Sequence, residues 1–197
     1  MAETKIRVEP GSVKKYGTKA QSRFDGIRRD LVALVNDVAT VHYFGPNASQ
    51  FKKESAELAA DFSTRLLKDL GSIADAVRSS TSNIASSLGG APINIQVNGS
   101  PVPIPSISQG DGAVDVDLSA LEKLVPAVKT RFGQIDQGLK GHLADLRGTD
   151  WTGSAKTSTV DAVSRFTKSA AQKTDQAEKS IVDFINSQIQ ATRTADK

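Results

Sequence analysis

Residues 149–156 read TDWTGSAK and hold the only tryptophan among 197 residues. The stretch lies between two apolar periodicities. Upstream, Leu121, Leu124, Val128, Phe132, Ile135, Leu139, Leu143 and Leu146 step by three and four; downstream, Val160, Val163, Phe166, Ala170, Thr174, Ala177, Ile181, Ile185 and Ile189 do the same. Such spacing gathers each set onto one stripe of an α-helix. Two helices, one ending near 147 and the next starting near 154, must reverse direction within about six residues, an ordinary connection for a helix pair. Gly153 gives the bend its backbone freedom. Trp151, on the outside of the bend, is expected to cover the end of a neighbouring helix and bury a large area.

The same pattern occurs once before. Offset by 108 residues and without a gap, Ile6, Val8 and Glu9 meet Val114, Val116 and Asp117. Arg23, Phe24, Ile27, Leu31 and Asp37 meet Arg131, Phe132, Ile135, Leu139 and Asp145, and Tyr43 and Gly45 meet Trp151 and Gly153. A shared helical period alone does not align an aromatic-x-glycine turn with helices on both sides, so a duplicated unit is the expected origin. The first copy has stripes at Phe24, Ile27, Leu31, Leu34, Val35 and Val38, then at Phe51, Leu58, Phe62, Leu66, Leu70, Ile73, Val77, Ile84 and Leu88. The turns are Tyr43, Phe44 and Gly45 in the first copy and Trp151, Thr152 and Gly153 in the second. Pro46 suits the first turn of a helix, and Ser119 to Glu122 reads as a capping box. Pro126 must either kink the first helix of the second copy or mark its start.

These patterns divide the chain into a helical hairpin at 1–88, a Pro/Gly-rich linker at 89–112 and a second hairpin at 113–197. The fold class is all-α: two helical hairpins in tandem forming an antiparallel four-helix bundle. In the linker, Asn98-Gly99 is a hairpin turn signal that would pair Val97 with Ser100, Ile95 with Val102 and Ile93 with Ile104. That register leaves Pro101 and Pro103 where no ladder hydrogen bond is needed. Ile93, Ile95, Val97, Val102 and Ile104 would then share one apolar face, to be covered by the bundle or by a partner.

Composition excludes several functions. With no cysteine there is neither disulfide nor thiolate chemistry. The net charge of +3 is spread in mixed-sign pairs such as KTDQAEK, without the one-sided basic footprint of a nucleic-acid binder. No run of 18 apolar residues is present and no Sec-type leader is expected, so stable membrane insertion is not expected. His42 and His142 have no carboxylate or second histidine at the i+4 spacing of a helical metal pair, no phosphate loop occurs, and the scattered serines lack a catalytic set. Neither enzymatic activity nor any cofactor or metal is expected.

Helix, WTG, helix, in a unit of about a hundred residues, resembles the WXG100 (ESX) proteins of type VII secretion, and IRVEPGSV and YFGPNASQF are similar to actinobacterial members. The resemblance covers nearly the whole chain, twice. Two departures stand out: Tyr43 replaces the usual tryptophan, and no tyrosine is followed four residues later by Asp or Glu, Phe184 being followed by Gln188. The resemblance implies antiparallel pairing of hairpins, made covalent here by fusion. It implies a non-enzymatic secretion substrate or secreted partner, cytoplasmic before export and then secreted or at the cell surface. Its expected partners are the type VII secretion ATPase or a co-secreted helical protein, with self-association also open. The alternative is a helical adaptor, chaperone or structural module, retained in the cytoplasm, that binds a toxin or other protein.

Overall fold

A computed structural model describes residues 6–88, 90, 92–108 and 113–195, with the side chains of Pro46 and Leu88 left aside. The outermost residues of the linker and the stripe position Leu88 therefore lie outside the description. The chain is all-α, with four long helices and four two-residue strands among the described residues. In order these are β1 (Arg7–Val8), α1 (Pro10–Ala39), β2 (Tyr43–Phe44), α2 (Pro46–Leu88), β3 (Asp115–Val116), α3 (Leu118–Arg147), β4 (Trp151–Thr152) and α4 (Ser154–Ala195).

The helix starts follow from local chemistry. α1 begins where the Glu9 carboxylate accepts the backbone N–H groups of Gly11 and Ser12, two donors with no partner inside the helix. α3 begins the same way, at the position 108 residues on: Asp117 accepts the N–H of Ala120 at 3.1 Å, and these hydrogen bonds hold its carboxyl below the usual carboxylate range. The cap is thus Asp117 and not Ser119. Glu122 does not close the expected capping box but meets Arg193 at 2.6 Å. Pro126 lies inside α3, which starts eight residues earlier.

The helices contribute to two compact units. One comprises Met1–Arg28, Leu66–Gly99 and Asp136–Gln172; the other comprises Arg29–Arg65, Ser100–Ile135 and Lys173–Lys197. Each unit is a four-helix arrangement with two helical segments from each repeat. In the first, α1 and α3 run antiparallel, Tyr16 meeting His142 while Ile27 lies against Gly138. In the second, Phe62 of α2 packs on Phe132 of α3, with ring centroids 5.3 Å apart. The compact units interleave the repeats, so the boundaries 1–88 and 113–197 remain a division of the sequence.

The core stripes hold in large part, with Phe62, Ile84, Leu143, Val160, Phe166 and Ala177 only half-buried. Phe24, Ile27, Leu31, Leu34, Val35 and Val38 are all buried, as are Leu121, Leu124, Val128, Phe132, Ile135, Leu139 and Leu146. Leu58, however, is 45 % exposed, while Ser55, Ala56, Ala59 and Ser63 are fully buried. The core face of this part of α2 is built from small residues, which large-residue periodicity overlooks. The Ser63 hydroxyl is satisfied within the helix, donating to the Ala59 carbonyl at 2.6 Å.

The linker does not form the expected hairpin: no strand occurs among its described residues. The chain instead strips Ile93 and Ile95 of solvent by laying the segment on the first unit's own helices. The Gln21 side chain both donates to the Gln96 carbonyl, at 3.0 Å, and accepts the Gln96 N–H, at 2.8 Å. Arg78 donates to the Ile95 carbonyl and Arg28 to the Asn98 carbonyl. Side chains from helices therefore satisfy backbone groups of the linker, among them the Ile95 carbonyl that a hairpin partner would have taken. Ile93, Ile95 and Val102 are buried, Val97 is half-buried, and Ile104 is 39 % exposed.

Candidate functional site

The two aromatic turns are built reciprocally. β1, from the start of the first repeat, pairs antiparallel with β4 in the turn of the second, placing Val8 opposite Trp151 and Arg7 opposite Thr152. β3, from the start of the second repeat, pairs with β2 in the turn of the first, placing Val116 opposite Tyr43 and Asp115 opposite Phe44. Adding 108 to Val8 gives Val116, and subtracting it from Trp151 gives Tyr43, so one register is used twice. Gly45 and Gly153 have φ of +123° and +117°, a backbone region that side chains rarely enter.

At the second turn, Trp151 is 1 % exposed. Its ring shares a small cavity of about 50 Å³ with Val8, Pro10 and Val13 on one side and Thr81, Ile84 and Ala85 of α2 on the other. It thus covers the end of another helix, as its place in the turn implied. Backbone and side-chain bonds fix the loop: Glu9 N–H donates to the Asp150 carbonyl at 2.8 Å, and Asp150 N–H donates to Ser12 Oγ at 2.9 Å. Lys156 Nζ donates to the carbonyls of Arg147 and Thr149, capping the end of α3. The indole Nε1 of Trp151 is buried without a partner among the described residues.

The first turn has a different filling. Tyr43 is 5 % exposed, and its hydroxyl accepts from Gln188 Nε2 at 2.7 Å; burial raises its pKa, with Thr192 opposing. Phe51 stacks on Phe184 with centroids 5.4 Å apart. Lys52 runs its stem through the protein and sets Nζ 4.4 Å from the Phe44 ring centroid, a cation–π contact, while desolvation lowers its pKa. His42 lies edge-on to Phe44 and 3.1 Å from Asp115, as a surface residue.

Polar features between the helices were not anticipated from the sequence. His142 is buried; its Nε2 is 2.7 Å from the Tyr16 hydroxyl, and its ring is tilted on Phe24. Desolvation drives its pKa down to about 4, although the Asp145 charge pulls the other way. The signal was present: Ile135, Leu139, His142 and Leu146 form one stripe, with Leu143 only half-buried beside it. Asp145 itself is opposed by burial but held below the usual carboxylate range by Arg23 and Lys19. Arg131 grips Asp37 at 3.1 Å in the equivalent place, with Asp30 at 3.8 Å as a second carboxylate.

Chemically, the arrangement offers aromatic anchoring and shape. Among the described residues no group of three or more His, Asp or Glu is placed to hold a metal ion, and no helix is long and apolar enough to cross a membrane. Comparison with known protein families, curated proteins and solved structures yields no match to this chain.

Proposed function

We propose that the chain is a covalently paired helical recognition protein of the WXG100 type, acting without catalysis as a type VII secretion substrate or co-secreted partner. The observation that carries this reading is the reciprocal pairing of β1 with β4 and β2 with β3 at one offset of 108 residues. Each repeat lends a strand to the other's aromatic turn, as two subunits of a symmetric dimer would. Fusion makes the second binding event intramolecular and removes the concentration dependence of pairing. The protein would be cytoplasmic before export, with the secretion ATPase or a co-secreted helical protein as its partner.

A second reading, an adaptor retained in the cytoplasm that holds a toxin or other helical protein, is favoured by the missing Tyr-x-x-x-Asp/Glu pattern. One experiment separates them: compare culture filtrate and cell pellet of the native host with and without the type VII ATPase. ATPase-dependent appearance in the filtrate supports export. Retention in the pellet under both conditions sinks it, and a pull-down from that pellet then tests the adaptor.

A further inference from the structure

The repeat supplies its own template for what fits between α2 and α4. In the second compact unit this seam is closed by Phe51 stacked on Phe184 and by Gln188 reaching Tyr43. Moved by 108 residues, those positions become Thr159, Ala76 and Ser80 in the first unit. Those three residues line an open cavity of about 110 Å³ there, together with Ile73, Val77 and Val163. An engineered apolar cavity of about 150 Å³ admits benzene, and this smaller cavity, being open on one side, has room for one ring. Ser80 also belongs to an adjoining groove of about 300 Å³, which extends past Asn83 and Ser87 to Trp151.

We propose that this groove of the first unit is a binding site for a phenyl or phenol side chain presented by a partner protein. The ring takes the place that Phe51 and Phe184 fill in the second unit. Trp151 forms a wall of the adjoining groove, so its ring senses what binds there. The polar walls at Ser80, Asn83 and Ser87 suit a peptide backbone better than a bare hydrocarbon. A second copy of the chain is not the occupant, because none of its described aromatic side chains is exposed. One ring buries about 150 to 250 Å², far below the roughly 800 Å² per partner of a standard interface. The groove is therefore one anchor of a larger or transient contact. This inference rests on the recognition role proposed above and is independent of export.

The test uses the whole chain in ¹⁵N-labelled form, where the single tryptophan gives one indole resonance. The probes are a capped Gly-Ser-Phe-Ser-Gly peptide, its Ala counterpart in place of Phe, and toluene. The expected result is a saturable shift of the Trp151 indole N–H and of amides in 73–87 and 155–163 with the Phe peptide and not with the Ala peptide. Ala76→Phe, at an exposed position, should weaken that binding at least roughly tenfold, which corresponds to about 1.4 kcal/mol. Ser80→Gln is the second blocking variant should the first not fold. Absence of a saturable shift, or equal binding to the filled variants, overturns the proposal. Toluene binding without peptide binding overturns the partner-protein assignment. None of these outcomes bears on the secretion assay.

Discussion

The Tyr16 hydroxyl and His142 Nε2 lie 2.7 Å apart inside a helical core, and the histidine keeps its neutral form there. Its folded pKa is about 4, against 6.5 for the unperturbed group. Below the unfolded value, the unfolded chain takes up a proton that the folded chain refuses. The stability from this site is therefore complete above about pH 6.5 and is lost as pH falls from there through about 4. The full loss is up to about 3 kcal/mol. Urea midpoints measured from about pH 7.5 down to about 4.5 should fall accordingly, and His142→Phe should flatten that part of the profile. A wild-type slope that survives in His142→Phe would assign the acid sensitivity elsewhere.

Trp151 and Gly153 should be costly to change for different reasons. Trp151→Ala removes a fully covered ring and is expected to cost about 3 to 5 kcal/mol. Gly153→Ala, and Gly45→Ala at the other turn, place a side chain in a backbone region that costs about 1 to 3 kcal/mol. At Gly153 the new Cβ would also meet Ile6, at 3.4 Å. Thermal unfolding of the three variants checks both values; a Trp151→Ala chain as stable as wild type would show that the ring is not a core element.

Much of this was legible in the sequence because a helix repeats its environment every 3.6 residues and the chain repeats its pattern after 108. The turns, the helices and the matching Arg23/Asp37 and Arg131/Asp145 positions all follow from those two periods. The partners were not legible: Arg23 bonds Asp145 and Arg131 bonds Asp37 across repeats, and spacing along one repeat says nothing of that. Nor was the buried row at Ser55, Ala59 and Ser63, since such small side chains carry little hydropathy signal. The linker misled for a related reason. Its alternation of apolar residues is real, but side chains of the helices, and not a paired strand, bond its backbone.

The crossed ion pairs lend themselves to a double-mutant cycle. Arg23 lies so flat on α3 that a Cβ at Gly141 would overlap its guanidinium. Its side chain is 36 % exposed, so solvent screens the pair, and the coupling of Arg23→Ala with Asp145→Ala is expected at only about 0.5 to 1 kcal/mol. Gly141→Ala should remove most of that coupling while leaving both charged groups in place. A coupling unchanged in the Gly141→Ala background would show that Arg23 reaches Asp145 by another path.

The linker gives the sharpest contrast between two isoleucines that a hairpin would have treated alike. Ile95 has no solvent exposure, and its carbonyl accepts from Arg78. Ile104 is 39 % exposed. Truncating Ile95 to Ala leaves a cavity in the core and should cost about 2 to 5 kcal/mol, whereas Ile104→Ala, at the surface, should stay within about 0.5 kcal/mol of wild type. Gln21→Ala should fall between them, since it removes two hydrogen bonds to Gln96 worth about 1 kcal/mol each. Urea unfolding of the three variants decides the matter. Equal losses at Ile95 and Ile104 would mean that the two residues share one covered face, as in the hairpin, and that the segment does not lie as described.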